Sequence, residues 1–79
     1  MRTLYFCTTG ASDPTRASLG PHLAANGSVE AGHETAVIFV GDGADVLDRE
    51  TADRIEGVGI PPLRELLAKL LDHGVPVYV

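Results

Sequence analysis

Cys7 is the residue in this chain with the greatest capacity for covalent chemistry, and it is the only cysteine. It closes the apolar run Leu4-Tyr5-Phe6 just before a loop. A thiolate at the end of a strand, near a helix N-terminus, has a lowered pKa and can act as a nucleophile. A buried cysteine instead behaves as a small apolar side chain. The absence of an adjacent Lys or Arg favours the second role, and Cys7 remains the one candidate catalytic residue.

The loop after this run carries hydroxyl groups that could bind a small ligand. Its candidate ligand-binding residues are Thr8, Thr9, Gly10 and Thr15. Hydroxyls, a glycine and free amides at a helix N-terminus are typical of an anion site, and flavodoxin loops that hold the flavin phosphate look similar. Against that role, Asp13 would repel a phosphate and Pro14 lacks an amide. With no Trp to stack on a flavin, we predict no cofactor, and a purely structural turn remains an alternative.

Asp42 follows the second apolar run, between Gly41 and Gly43, and completes the set of candidate ligand-binding residues. The carboxyl ends of parallel strands meet at one edge of a sheet, where ligands collect in open α/β folds. A turn-forming Asp explains the same pattern. The three histidines lack the spacing of metal ligands, so no metal site is predicted.

Hydrophobic periodicity divides the chain into alternating strands and helices. The predicted elements are a strand over 3–8, a helix over 14–26, a strand over 35–40, a short helix over 44–56, a helix from 63 to Gly74 and a strand over 75–79. We expect Asp13 to cap the first helix, Gly20-Pro21 to kink or break it, and Asn26-Gly27 to end it. The third helix has an apolar stripe formed by Leu63, Leu66, Leu67, Leu70 and Leu71.

This alternation predicts an α/β fold: a three-layer α/β/α, flavodoxin-like domain with a parallel sheet of order 2-1-3, spanning 1–79. The first strand would be central and covered on both faces, and the third would be an open edge. An exposed apolar edge strand tends to pair with a further strand. We therefore expect further strands beyond Val79, so that the domain is incomplete, and expect the chain alone to self-associate or aggregate.

Bulk composition excludes several classes of function. The net charge is −5 and the six basic residues are scattered, which argues against a nucleic-acid partner. No apolar run approaches a membrane span or a signal segment. A lone cysteine excludes an internal disulfide framework. We expect a cytoplasmic protein with no membrane partner.

Several segments in order resemble one family. They are Leu4 to Gly10, Asp13-Pro14-Thr15-Arg16-Ala17, Gly41-Asp42, Gly57-Val58-Gly59 with Pro61 to Leu67, and His73 to Val79. Together they resemble DsrE/DsrF-like proteins of the DsrEFH superfamily, over the whole chain. The resemblance implies an α/β/α domain, typically longer than this chain, that assembles as a homotrimer or homohexamer or with related subunits. It also implies sulfur relay, in which a cysteine carries a persulfide between donor and acceptor proteins.

In such proteins the reactive cysteine directly follows the third strand, which here means the residue after Val79. The chain has no such position, so we expect it to be truncated there, and Cys7 does not match the family's reactive residue. The leading hypothesis is a persulfide carrier that works by thiol exchange; whether it is an enzyme stays open. The alternative is a non-catalytic module that binds a small ligand or builds oligomers.

Overall fold

The computed structural model describes residues 1–79 and confirms the alternation of strands and helices. Its elements are β1 (Arg2–Cys7), α1 (Pro14–Leu23) followed by a π-helical turn (Ala24–Ser28), β2 (Glu34–Phe39), a 3-10 helix (Gly41–Leu47), α2 (Arg49–Arg54), α3 (Leu63–Asp72) and β3 (Val77–Tyr78). All three strands are parallel. Instead of the predicted short helix over 44–56, the structure has the 3-10 helix and α2. The predicted strand over 75–79 is shortened to the two residues of β3.

The strand order is β1-β2-β3, so the predicted order 2-1-3 is wrong. The burial of the strands explains the arrangement. In β2 the side chains of Thr35, Val37 and Phe39 are all buried, whereas in β1 only Cys7 is. The strand with the most buried side chains takes the centre, where neighbours flank both of its edges. The prediction that the third strand forms an edge is confirmed.

The helices pack against one face of the sheet, so these residues form two layers and not the predicted three. Tyr5 hydrogen-bonds to Ser28 in the π-helical turn, and Cys7 lies against Gly20 of α1. On the opposite face, Leu4 and Phe6 are exposed. Right-handed crossovers that step twice in the same direction place their helices on the same side of a sheet. β1 is thus covered on one face only, contrary to the prediction.

The first helix begins as predicted but continues further. The Asp13 carboxylate accepts a hydrogen bond from the Arg16 amide at 3.1 Å, and Pro14 occupies the first turn. The helix does not break at Gly20-Pro21, and the predicted stop at Asn26-Gly27 lies inside the π-helical turn. Pro21 is fully buried, so packing of its ring offsets the hydrogen bond that proline cannot donate.

The core lies between the covered sheet face and α3. Three leucines of the predicted stripe, Leu63, Leu66 and Leu70, are buried, whereas Leu71 is 69% exposed. Gly74 ends this helix with a φ of 68°, as predicted. The core therefore packs α3 against the covered face of the sheet. The loops at the carboxyl ends of the strands lie outside this core and form one edge of the molecule.

Candidate functional site

The loops after β1 and β2 interlock at the carboxyl edge of the sheet. The Val40 amide donates to the Cys7 carbonyl oxygen at 3.1 Å. Gly43 lies against the same carbonyl, and a β-carbon there would come within 1.9 Å of the oxygen. Real β-carbons do not approach backbone oxygens this closely, so position 43 requires glycine.

The structure brings two predicted site residues, Gly10 and Asp42, into contact. A β-carbon on Gly10 would lie 2.3 Å from the Asp42 carbonyl oxygen and 2.9 Å from the Asp45 carboxylate. Sequence reasoning did not single out Asp45 or Gly43. The signal for Gly43 was the Gly-Asp-Gly turn itself, since glycine often marks a close approach of two backbones.

Cys7 is placed where a thiol is hard to ionise. Its side chain is only 7% exposed, and a β-carbon on Gly20 would lie 2.5 Å from its sulfur. Burial raises the pKa of Cys7 from its ordinary value of 9.0 to about 11, because a thiolate loses its solvation in an apolar site. The part of α1 that contacts the sulfur is Gly20 in the middle of the helix and not its N-terminus. In the folded chain Cys7 is a protonated core thiol at neutral pH.

The hydroxyl groups of the loop differ in solvent exposure and in hydrogen bonding, and they do not form one site. Thr8 is exposed and Thr9 is half-buried. The Thr15 hydroxyl accepts a hydrogen bond from the Val58 amide at 3.1 Å and so holds the turn before α3. Gly20 and Val58 are thus structural partners of site residues that the sequence pattern did not reveal, because both contacts join distant parts of the chain.

The charges around this edge oppose the binding of an anion. The Asp13 carboxylate already accepts a hydrogen bond from the Arg16 amide and lies 3.4 Å from the Arg16 guanidinium. The Asp45 carboxylate lies beside Gly10, and Asp42 adds a further negative charge to the same loop. A phosphate would meet these carboxylates, and the Arg16 guanidinium is already paired with Asp13. No group of three or more His, Cys, Asp or Glu side chains is close enough to hold a metal ion.

The two largest hollows of the surface lie away from this edge. One, of about 850 Å³, opens at the amino ends of the strands beside Arg2, Glu34 and His73. The other, of about 430 Å³, is an apolar groove between α2 and α3 beside Leu67 and Val77. The first hollow is the larger, but it has no nucleophile and no metal-binding group of side chains. The carboxyl edge remains the better candidate site because Cys7 lies there.

Residues 1–79 match the model of the DsrE/DsrF-like family, which is the entire length of the chain. The chain belongs to the DsrE/DsrF-like family. The resemblance carried by the segments from Leu4 to Val79 is therefore confirmed. No curated protein and no solved structure matches this DsrE/DsrF-like chain. None of its helices combines the length and apolar character that a bilayer-spanning segment needs.

Proposed function

We propose that this DsrE/DsrF-like chain takes part in sulfur relay. The observation that supports the proposal is the family match over residues 1–79. Sulfur relay passes a sulfane sulfur from one thiol to the next by exchange at sulfur. The proposal includes a cytoplasmic setting, where a free thiol stays reduced.

Within these residues the sulfur carrier would have to be Cys7, since there is no second cysteine. The Cys7 thiolate would attack the outer sulfur of a donor persulfide. The S–S bond of the donor breaks, the donor leaves as a thiolate, and Cys7 becomes a persulfide. The same exchange in the opposite direction hands the sulfur to an acceptor thiol, so the sequence needs no oxidant or reductant.

The burial of Cys7 sets the conditions for that step. With a pKa of about 11, only about one molecule in 10⁴ carries the thiolate at neutral pH. The sulfur must also be uncovered, because Gly20 of α1 lies directly against it. Carriage on Cys7 therefore requires α1 to move away from the end of β1. A partner protein that binds this edge would provide such a movement.

The test is to load the folded protein with inorganic polysulfide and to measure the intact mass. We expect a gain of one sulfur atom that is removed by a reducing thiol and that is absent from Cys7→Ser. The same incubation in denaturant shows whether Cys7 reacts when it is exposed. A gain in denaturant only, or an equal gain on Cys7→Ser, would remove Cys7 as a carrier.

A second candidate function is a non-catalytic subunit that binds a small ligand or assembles with copies of itself or with related chains. The burial and raised pKa of Cys7 favour it. The candidate ligand residues would then be Thr8, Thr9, Gly10, Thr15 and Asp42. Absence of loading on native Cys7 would support this role over the carrier role.

A further inference from the structure

An apolar groove lies between α2 and α3 at the free edge of the sheet, and its volume is about 430 Å³. Leu71 of α3 and Leu47, just before α2, line it and are 69% and 39% exposed. Val77 of β3 borders the groove, and β3 has a neighbouring strand on one side only. We call this surface the α2–α3 groove; its apolar lining includes Leu47, Ala52, Leu67, Ala68, Leu71 and Val77.

The free edge of β3 offers main-chain hydrogen bonds beside this groove. Val77 lies opposite Val37, and the Val37 amide donates to the Pro76 carbonyl oxygen at 3.0 Å. Successive residues of a strand direct their amide and carbonyl groups to opposite sides, so both groups of Val77 point away from β2. The amide of Val79 points the same way. An added strand would bond to these groups, and its alternate side chains would face the α2–α3 groove as Val77 does.

The charges at the α2–α3 groove indicate what kind of segment fits it. Arg49 and Arg64 border the groove together with Asp53, so two cations meet one carboxylate there, in a chain whose net charge is −5. The Arg64 guanidinium already donates to the Asp53 carbonyl oxygen at 3.3 Å and lies 4.0 Å from the Glu56 carboxylate. Arg49 takes part in none of the ion pairs of the chain. It is therefore free to pair with an acidic side chain of a partner.

We propose that the α2–α3 groove and the edge of β3 together bind an extended segment of a different protein, apolar on one side and carrying an acidic residue. The segment adds a strand beside β3 and bonds to the outward groups of Val77. Its apolar side chains fill the groove beside Leu67 and Leu71, and its carboxylate pairs with Arg49. In strand addition of this kind the main-chain bonds provide affinity and the side-chain pocket provides specificity. The inference goes beyond sulfur relay, since it holds whether or not Cys7 carries sulfur.

Fluorescence anisotropy of a labelled peptide tests the proposal. The end-blocked peptide Asp-Thr-Val-Thr-Val-Thr-Asp places both valines and both aspartates on one side of a strand. When the folded chain is added up to about 1 mM, we expect saturable binding with a dissociation constant on the order of 10⁻⁴ M. Two control peptides, one with lysine at both ends and one N-methylated at its three central residues, should bind at least about tenfold more weakly.

Matched variants of the chain place the binding at the α2–α3 groove. Leu71→Glu puts a charge in the groove, and Leu23→Glu puts the same charge on α1, where the leucine is 54% exposed. Arg49→Glu reverses the free cation, and Arg54→Glu makes the same change on α2 outside the groove lining. We expect Leu71→Glu and Arg49→Glu each to weaken binding at least about fivefold, and the controls to stay within about twofold of the unmodified chain. A cooperative thermal transition shows that each variant is folded.

Amide hydrogen exchange distinguishes strand addition from docking of a helix in the same groove. Bound peptide should slow exchange of the Val77 amide and leave that of Tyr78, which faces β2, unchanged. The proposal is overturned if the peptide does not bind, if both control peptides bind equally well, or if the Val77 amide is not protected. A dimer of the chain that excludes the peptide and is lost in Leu71→Glu would assign the groove to a second copy, and would also overturn it. Polysulfide is absent throughout, so a failure here leaves the sulfur-relay test unaffected.

Discussion

Gly20 in the middle of α1 lies directly against the sulfur of Cys7 at the end of β1, and a β-carbon at position 20 would come within 2.5 Å of that sulfur. A glycine inside a helix costs about 1 kcal/mol relative to alanine. At position 20 this cost is offset because glycine allows α1 to approach the end of β1 closely. The contact is what buries the only thiol of the chain.

Substitution of this glycine by alanine is expected to destabilise the protein. Gly20→Ala gains about 1 kcal/mol of helix propensity but overpacks the contact with Cys7, which costs about 1–3 kcal/mol. In a Cys7→Ala background the space is free, and the same substitution becomes stabilising. Urea denaturation of the four proteins gives the coupling between the two sites.

Gly27→Ala is the matched control for Gly20→Ala. Gly27 is also helical, and a β-carbon at position 27 would meet no neighbouring atom within 4 Å. We expect this variant to be neutral or up to about 1 kcal/mol more stable. If Gly20→Ala were as stable as Gly27→Ala, the close contact between α1 and Cys7 would be wrong.

The raised pKa of Cys7 predicts a loss of stability in alkaline solution. The folded protein holds the Cys7 proton more tightly than the unfolded chain does. Its contribution is fully present below pH 9 and is lost as the pH rises through about 11. The loss that two pKa units imply is about 2–3 kcal/mol.

Chemical denaturation at a series of pH values, compared between the protein and Cys7→Ala, isolates this contribution from the titration of Tyr and Lys. The difference in unfolding free energy between the two proteins should shrink across this interval. A constant difference would mean that the thiol ionises as easily in the folded protein as in the unfolded chain.

The hydroxyl of Tyr5 anchors β1 to the π-helical turn. It hydrogen-bonds to Ser28, whose side chain is buried. Tyr5→Phe leaves the Ser28 hydroxyl without this partner and is expected to cost about 1 kcal/mol. Tyr78→Phe is the control, since Tyr78 is exposed and its hydroxyl makes no hydrogen bond. Thermal unfolding of the two variants at low protein concentration checks the difference, and equal midpoints would contradict it.

Lys69 of α3 connects this helix to the end of the π-helical turn. Its ammonium group donates to Asn26 at 2.7 Å and to the Glu30 carboxylate. These interactions lower the pKa of Glu30, so their contribution is present above the ordinary pKa of a glutamate and is lost as the pH falls through the lowered value. Lys69→Met should therefore destabilise the protein at neutral pH and much less in acid.

The control for Lys69→Met is Arg2→Met, which removes the ion pair between Arg2 and Glu34. That pair has a distance of 2.9 Å, but its side chains are 85% and 70% exposed, and such pairs contribute little. We expect no measurable change at neutral pH. An equal change in both variants would show that the contacts of Lys69 contribute no more than the exposed pair of Arg2 and Glu34.

The local elements of this protein follow from short stretches of sequence. Asp13 before Pro14 fixes the start of α1, and the spacing of Leu63, Leu66 and Leu70 fixes the buried side of α3. Each depends on contacts within a few residues, which propensity and periodicity describe well. The family resemblance likewise depends on motifs that survive in order along the chain.

The arrangement of these elements depends on comparisons between distant segments. Leu4 and Phe6 look as apolar as Val37 and Phe39, yet only the second pair is buried. The residues of β1 alone do not indicate which of its two faces the helices will cover, because both faces carry apolar side chains. The contact of Cys7 with Gly20 was hidden for the same reason, because it requires the crossing point of α1 over β1.

The close contacts between Gly10 and Asp42, and between Gly43 and Cys7, have a mechanical consequence. Each loop contacts the backbone of the other, so an outward movement of one loop would break its contacts with the other, and we expect the two loops at the carboxyl edge to move together. The sulfur of Cys7 lies against Gly20 of α1, so the rate at which a thiol-specific dye labels Cys7 measures how often α1 moves away from the end of β1. A binding partner that moves α1 away from this edge would increase the rate of labelling.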